Sequence, residues 1–215
     1  MTDLIDYLYI IPAALLAIMC HEIAHGFVSY LLGDPTAKQM GRLTLNPLKH
    51  IDPIGALSLI LFRVGWAKPV MIDPRYYKNP KWGTALVSLA GPLTNFVLAI
   101  ISAFLYFVIY KFINIQLILN IFLPFFLYSA ILNIGLGLFN LIPIPPLDGS
   151  KIIGAILPNQ AYYQYMKYQR YGTIFMLILI LVINILSAFN VPSIFNEAIN
   201  YIFSLIFNFW NNIFF

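Results

Sequence analysis

The chain has 215 residues, of which 61% are apolar and 9% are charged, and its formal net charge is +4. A soluble domain usually carries about 25% charged residues, so this composition excludes an ordinary soluble protein and predicts that lipid is the main solvent. The net charge is too small to indicate a nucleic-acid partner.

The N-terminal part of the chain contains one clear predicted span and one shorter apolar segment. Residues 5–32 predict a long transmembrane helix that ends at Gly33-Asp34-Pro35. Residues 54–63 are apolar but too short to cross a bilayer as a straight helix, so they predict a re-entrant or interfacial segment. Around that segment, residues 40–45 and 66–72 alternate apolar and polar side chains and are bounded by Gly and Pro, which predicts two short β-strands.

The rest of the chain contains four further hydrophobic segments. Residues 84–110 and 115–139 predict the second and third spans, and residues 172–190 predict a fourth. Residues 194–214 predict a fifth, weaker span, whose asparagines leave open a helix that lies in the membrane interface. The prediction is therefore an all-α polytopic membrane protein with about five transmembrane helices.

The distribution of basic residues predicts the topology. The loops at 33–83 and 140–170 hold eleven of the twelve Lys and Arg residues, and the predicted spans place both loops on the same side. By the positive-inside rule these loops are cytoplasmic and the N-terminus is outside. We expect one domain over residues 1–215, with a core at about 5–160 and accessory C-terminal helices at 171–215. The first residues are acidic rather than basic, so we expect no cleaved signal peptide.

The sequence HEIAHG at residues 21–26 is the most informative motif. His21 and His25 are four residues apart and share one face of the predicted helix, so both imidazoles can bind one zinc ion. Glu22 lies beside them and can activate the metal-bound water as a general base. A chance set of interhelical polar contacts is the alternative, but the chain has only three His and two Glu residues, which makes coincidence rare.

The identity of a third metal ligand is open from local patterns. A catalytic zinc site usually has three protein ligands and one open position. His50 follows a polar loop and is expected at the surface or in a hinge, and Glu197 lies among asparagines and is expected at the interface. The three aspartates that each precede a proline are typical of turns: Asp34, Asp52 and Asp73.

Asp148 is a stronger candidate for the third ligand. It lies in PIPPLDGS, where the prolines prevent a helix from continuing and Gly149 permits a tight turn. The predicted topology places it on the same side of the membrane as the end of the first span. An ordinary Asp-Gly turn explains the local pattern equally well.

Several motifs resemble those of the site-2 protease family of intramembrane zinc metalloproteases, in particular its small branch without a PDZ domain. They run from about residue 20 to 155 and read HEIAHG, GRLTLNPLKHIDPIG, GWAKPV, AGPLTN and NLIPIPPLDGSKI. The resemblance implies a catalytic core of three transmembrane helices that holds the metal within the membrane. It also implies that His21, His25 and Asp148 are the zinc ligands and that Glu22 is the catalytic acid/base.

Two asparagines occur at matching positions of the family's motifs. Asn95 lies in AGPLTN on the second span, and Asn140 lies at the end of the third. Each is a candidate for orienting the substrate peptide or stabilising the oxyanion. The alternative is an ordinary hydrogen bond between membrane helices. The adjacent Gly91-Pro92 is expected to permit close helix approach or a kink.

The resulting hypothesis is a zinc endopeptidase of the cell membrane, in prokaryotes the cytoplasmic membrane, that cleaves transmembrane protein substrates within or near their helices. Its partners would be the substrate and membrane lipid, with the site toward the cytoplasmic side. An exposed edge of either predicted strand could pair with the unwound substrate. The alternatives are a metal-ion transporter, a non-proteolytic scaffold, and a metalloprotease that uses Glu197 as third ligand.

Overall fold

The computed structural model describes residues 5–52, 68–167 and 193–215, together with residues 55, 171, 172, 174 and 178. Within these residues the secondary structure is helical and contains no strand. The α-helices are α1 (Asp6–Leu31), α2 (Thr36–Gln39), α3 (Pro80–Phe112), α4 (Gln116–Leu141), α5 (Asp148–Ile156), α6 (Asn159–Lys167) and α7 (Ile194–Phe214). Two 3₁₀ turns, Pro47–Lys49 and Pro74–Tyr76, lie between α2 and α3.

Three helices form the core and confirm the first three predicted spans. Helices α1, α3 and α4 are long and apolar enough to cross a membrane. The start of α3 is fixed by residues that favour a helix N-terminus. The Asn79 side chain caps the helix by accepting a hydrogen bond from the Trp82 backbone N–H, and Pro80 occupies the first turn. Each of the three helices contacts the other two.

Helix α7 runs along the α3–α4 hairpin. Phe195, near its start, lies beside Phe139 at the end of α4, with ring centroids 6.3 Å apart. Phe214, near its end, lies beside Phe112 at the end of α3, with ring centroids 6.4 Å apart. These contacts join opposite ends of the hairpin, so the helix of the fifth predicted segment lies alongside both core helices. Among the described helices, α7 does not reach the apolarity of the three candidate spans, and its prediction as a span is not confirmed. The fourth predicted span, 172–190, and the short segment 54–63 lie almost entirely outside the described residues.

The predicted strands are absent from the described parts of their segments, residues 40–45 and 68–72. Among the described residues, a single backbone hydrogen bond, from the Lys68 N–H to the His50 carbonyl at 2.8 Å, joins this part of the chain to the second segment, and side chains bind several of the other backbone groups. The buried guanidinium of Arg42 donates to the carbonyl of Lys49, and His50 donates from Nε2 to the carbonyl of Thr44 at 2.9 Å. The strand prediction is therefore not confirmed for these residues. The expected surface position of His50 is wrong, because this side chain is 3% exposed.

Asp34 is more than the turn residue that its Asp-Pro sequence predicts. Its carboxylate is fully buried and accepts hydrogen bonds from the Ser29 hydroxyl at 2.7 Å, the Thr36 N–H at 2.9 Å and the Asp73 N–H at 2.7 Å. The Ser29 hydroxyl also lies 2.6 Å from the Tyr77 hydroxyl. Asp34 thus ties the end of α1 to the chain that leads into α3. Burial alone would raise the pKa of Asp34, but the bonds from Thr36, Asp73 and Ser29 hold it below its usual range.

We expect the Asp34→Asn substitution to lower the free energy of unfolding by about 1–3 kcal/mol, because an amide NH₂ would face buried donors that now share a carboxylate. The folded-state pKa is depressed, so the carboxylate's contribution is present above about pH 4 and is lost as the pH falls further. Thermal unfolding in detergent at pH 7 and below pH 4 measures both effects. Asp73→Asn is the control, since Asp73 pairs with the exposed Arg75; an equal loss in both variants would contradict the assignment.

Candidate metal centre

Two histidines of α1 and one aspartate of α5 meet at a single point. The imidazoles of His21 and His25 are one turn apart, with ring centroids 4.6 Å apart and planes nearly perpendicular. Asp148 Oδ2 lies 3.1 Å from Nε2 of His21 and 3.0 Å from Nε2 of His25. Their ligand atoms all lie within 4.8 Å of one another. The three residues predicted as metal ligands are therefore brought together.

The turn that follows the end of α4 brings Asp148 to the two histidines. Helix α4 ends at Leu141, and α5 begins at Asp148 after the proline-rich turn. A Cβ atom on Gly149 would overlap the Leu141 carbonyl, so only glycine lets the first turn of α5 approach the end of α4 this closely. The carboxylate also sits at the positive end of the α5 dipole. The Asp-Gly pair therefore has a positioning role that a simple turn does not explain.

The outer nitrogen of each imidazole has its own partner on α3. Nδ1 of His21 lies 2.6 Å from Oδ1 of Asn95, and Nδ1 of His25 lies 2.7 Å from the carbonyl of Val87. Both partners are acceptors, so each imidazole carries its hydrogen on Nδ1 and presents the Nε2 lone pair to the shared point. Metal-bound histidines in proteins are commonly oriented in this way.

Gly91 lies between these two partners on the same face of α3. A Cβ atom there would lie 2.6 Å from Cε1 of His21 and 2.6 Å from Cε1 of His25. Contacts this short do not occur between real side chains, so the imidazoles can occupy their positions only against a glycine. Gly91 was expected to permit close helix approach. In the structure it leaves space for the imidazoles of His21 and His25.

The donor set fits a zinc ion. Two imidazole nitrogens and a carboxylate oxygen are a ligand set that catalytic zinc sites use, and tetrahedral bonds of about 2.0–2.1 Å place ligand atoms about 3.3 Å apart. The Nε2–Oδ2 distances of 3.1 and 3.0 Å are close to that spacing. An aspartate carboxyl group is ionised at neutral pH, which is the form that metals require.

The cluster opens into a cavity of about 290 Å³ that also contains Glu22. Oε2 of Glu22 accepts a hydrogen bond of 2.8 Å from the Val70 N–H. The lining also includes Asn140 and Lys151, and the Lys151 ammonium lies 3.4 Å from Oδ1 of Asp148. The candidate general base Glu22, the three candidate metal ligands and a basic side chain therefore line one cavity.

The structure separates the two asparagine candidates. Asn140 lines the cavity, and one of its amide hydrogens is directed to the Leu136 carbonyl at 3.0 Å. Asn95 is fully buried and is not among the residues that line the cavity. Its Oδ1 faces His21, and its Nδ2 donates to the Ala17 carbonyl at 3.2 Å and to Oδ1 of Asn133 at 2.8 Å. Its polar atoms are committed within the protein.

The remaining ligand candidates lie elsewhere. Glu197 is exposed in the first turn of α7, and the described residues contain one cluster of His, Cys, Asp and Glu side chains with metal-site geometry. Asp52 accepts from the Gly55 N–H at 2.9 Å and Asp73 from the Arg75 N–H at 3.1 Å, as expected for turn residues.

Sequence patterns missed four contributors to the site: Val87, Ser88, Asn133 and Lys151. Val87 acts through its backbone, and Asn133 is one of many asparagines in the chain. Ser88 is buried in the cavity wall, and its hydroxyl has no hydrogen-bond partner in the described part of the chain. Only Lys151, three residues after Asp148, had a usable signal, since that spacing places both side chains on one helix face.

Helices and site together define a multi-pass membrane protein with a metallopeptidase-like centre. The sequence matches the model of Peptidase family M50 over residues 9–119 and 108–186. The chain belongs to this family, the family of the site-2 proteases, which confirms the resemblance seen in its motifs.

Three curated relatives illustrate the similarity. The chain is 38% identical over 174 residues to the Bacillus subtilis protein named "Putative zinc metalloprotease YwhC", covering 80% of this chain and 79% of YwhC. It is 30% identical to "Putative zinc metalloprotease Rip2" of Mycolicibacterium smegmatis, covering 71% of this chain and 58% of Rip2. It is 29% identical to "Zinc metalloprotease MJ0392" of Methanocaldococcus jannaschii, covering 70% of this chain and 34% of that protein. No solved structure matches the chain.

Proposed function

We propose that this protein is an intramembrane zinc endopeptidase that hydrolyses peptide bonds within or near the transmembrane helices of other membrane proteins. The observation that carries the proposal is the convergence of two Nε2 atoms and one carboxylate oxygen beside Glu22, at the ends of apolar helices. Such a polar cluster is costly in a membrane protein unless it binds a metal or acts on a substrate. The names of the relatives support zinc as the metal.

In this proposal His21, His25 and Asp148 hold the zinc ion. Zinc, when bound, polarises a peptide carbonyl and lowers the pKa of its water to about 7. The chain's own residues supply the rest of the chemistry. Asn95 and the Val87 carbonyl keep both imidazoles in the tautomer that exposes Nε2, and Gly91 leaves the rings their space.

Glu22 is the proposed proton carrier. It adjoins His21 on α1, lines the same cavity and is fixed at Oε2 by the Val70 N–H. Its carboxylate takes a proton from the attacking water and passes it to the leaving amine nitrogen. The bond from Val70 holds the side chain in one orientation, so the base need not be ordered when the substrate arrives.

Asn140 is the better placed of the two asparagines for contact with substrate. Only one of its amide hydrogens is used within the described residues, by the Leu136 carbonyl. The second is available to the carbonyl oxygen of a peptide in the cavity, where negative charge develops during attack. Both amide hydrogens of Asn95 are already used, so we assign Asn95 the role of orienting the His21 ring.

The proposed location of the site also explains its access to water. Asn140, in the last turn of α4, lines the cavity together with three residues that follow α4: Pro146, Leu147 and Lys151. The distribution of Lys and Arg assigns this stretch to the cytoplasmic side, with the N-terminus outside. Water then enters from the cytoplasm, whereas the substrate helix arrives from the lipid. A transmembrane substrate must unwind there, since a helix keeps its carbonyls in its own hydrogen bonds.

The test is zinc content and cleavage of a model transmembrane substrate in detergent, for wild type, Asp148→Asn and Glu197→Gln. We expect about one zinc per wild-type chain and cleavage of the substrate. Asp148→Asn removes a ligand, so its zinc affinity should fall by at least the roughly 10–100-fold that loss of an outer partner costs, and cleavage should disappear.

Glu197→Gln is the matched control, because Glu197 is the other glutamate of the chain and lies exposed on α7. It should retain both zinc and cleavage. Zinc loss in this variant but not in Asp148→Asn would establish a different metalloprotease arrangement. Zinc binding by wild type without cleavage of any transmembrane substrate would contradict the protease proposal and favour a transporter or scaffold.

A further inference from the structure

A continuous chain of hydrogen bonds leads from the metal centre into the α3–α4 interface. It starts at Nδ1 of His21 and passes to Asn95 at 2.6 Å, from Asn95 to Asn133 at 2.8 Å, and from Asn133 to the Ser129 carbonyl at 2.9 Å. The side chains of Asn95 and Asn133 are both fully buried. Two adjacent buried amides in apolar helices are costly unless their orientation serves a purpose.

Backbone carbonyls fix the orientation of both amides. The Ser129 carbonyl can only accept, so the atom of Asn133 that faces it is Nδ2, and Oδ1 of Asn133 must face Asn95. The Ala17 carbonyl can also only accept, so Nδ2 of Asn95 faces both it and Asn133. Oδ1 of Asn95 is then the atom left for His21. The direction of every bond in the chain follows from these two carbonyls.

The orientation of Asn95 decides the tautomer of His21. With Oδ1 toward the ring, Nδ1 must carry the hydrogen and Nε2 has a free lone pair. A reversed amide would present NH₂ to Nδ1 and would place the hydrogen on Nε2, the atom that faces Asp148. An imidazole in that form cannot donate its Nε2 lone pair to a metal.

We propose that Asn133 is a positioning residue of the metal centre: it locks the Asn95 amide and thereby holds His21 in the metal-binding tautomer. Asn133 contacts neither the cavity nor a metal ligand, and it acts through Asn95. The inference rests on the proposed zinc site and deepens it. It also explains why α4, which supplies no metal ligand in this structure, carries a buried asparagine at this level.

The experiment compares Asn133→Leu with Ser102→Ala, both in detergent. Leu has nearly the shape of Asn but cannot accept from Asn95. Ser102→Ala also removes a buried hydrogen bond between α3 and α4, the 2.9 Å contact of the Ser102 and Ser129 hydroxyls, but it leaves both amides in place. We expect Asn133→Leu to raise the zinc dissociation constant by about 10–100-fold, measured by competition with a chromogenic chelator. Ser102→Ala should bind zinc like wild type.

A second readout follows the tautomer itself. The chain has three histidines, so their imidazole N–H signals can be assigned individually by NMR in the zinc-loaded protein. We expect a hydrogen-bonded Nδ1–H signal for His21 in wild type and in Ser102→Ala, and its loss or broadening in Asn133→Leu. Unfolding temperatures of the zinc-free variants show whether the two substitutions disturb the helix interface equally.

Equal zinc affinities and an unchanged His21 signal in Asn133→Leu would overturn the inference while leaving the zinc site intact. Loss of affinity in Asn133→Leu and Ser102→Ala alike would also overturn it, because the effect would then be general loosening of the helices. Wild-type protein that binds no zinc would instead refute the proposed function. The two proposals thus fail in distinguishable ways.

Discussion

Replacing Glu22 with glutamine should abolish cleavage of a transmembrane substrate while zinc content stays at the wild-type level. Glutamine is nearly isosteric, and its carbonyl oxygen can still accept the hydrogen bond from Val70, so the cavity keeps its shape. It cannot take a proton from water at neutral pH. General acid–base catalysis contributes about 10²–10⁴-fold, and we expect the cleavage rate to fall by that factor. Cleavage assays and metal analysis of the same preparation measure both quantities.

Glu22→Asp provides a graded companion to this variant. Aspartate keeps a carboxylate on a side chain that is shorter by one methylene group. The cleavage rate of this variant should therefore lie between those of wild type and Glu22→Gln. Undiminished cleavage by Glu22→Gln would remove Glu22 from the mechanism. Loss of zinc from Glu22→Gln would show that this carboxylate supports the metal rather than the proton transfer.

Replacing Gly91 with alanine should damage the metal centre through a single methyl group. The new Cβ would lie 2.6 Å from atoms of both His21 and His25, and the α3 backbone that carries it is packed against α1. The imidazoles must therefore move. Overpacking of this kind costs about 1–3 kcal/mol of stability, and displacement of two ligands should weaken zinc binding by more than about 10–100-fold. Zinc affinity and thermal unfolding in detergent measure these effects.

Gly135→Ala is the matched control for Gly91→Ala. Gly135 lies within α4, and a Cβ atom there would meet its nearest neighbour, Cδ1 of Ile199, at 3.5 Å, which is an ordinary contact. We expect this variant to fold and to bind zinc like wild type. Similar losses in both variants would mean that any added methyl in the core helices is harmful, and the specific role of Gly91 would be wrong.

The core spans were predictable because they are long and uniformly apolar. Residues 5–32, 84–110 and 115–139 each matched a helix of the structure within a few residues at either end. The loop between α1 and α3 was not predictable in the same way. Alternation at 40–45 indicated a strand, but the buried His50 side chain binds the Thr44 carbonyl of this segment, and the buried Arg42 side chain binds the Lys49 carbonyl beyond it. Such side-chain-to-backbone contacts within a loop leave no periodic signal in the sequence.

The site was predictable where its chemistry depends on unusual residue types. His21, His25 and Asp148 are rare polar residues in an apolar chain, and the structure places them together. The groups that surround these three residues could not be predicted, for physical reasons. The Val87 carbonyl exists at every residue, and the difference between Asn95 and Asn140 arises from which one reaches the cavity. Spacing along a helix gives the face of a side chain but not which neighbouring atoms it meets.

The hydrogen bonds of Asn95 also limit how the core can move. This residue contacts the Ala17 carbonyl, the His21 ring and Asn133, so it joins α1, α3 and α4 at the level of the metal centre. A rotation of α1 away from α3 would break two of these bonds and disorient a ligand. If the protein is the zinc protease that we propose, admission of substrate by parting the core helices would weaken zinc binding at every turnover. Val70 also lines the cavity, but its N–H binds Glu22 rather than Asn95. A movement of Val70 would therefore leave the hydrogen bonds of Asn95 intact.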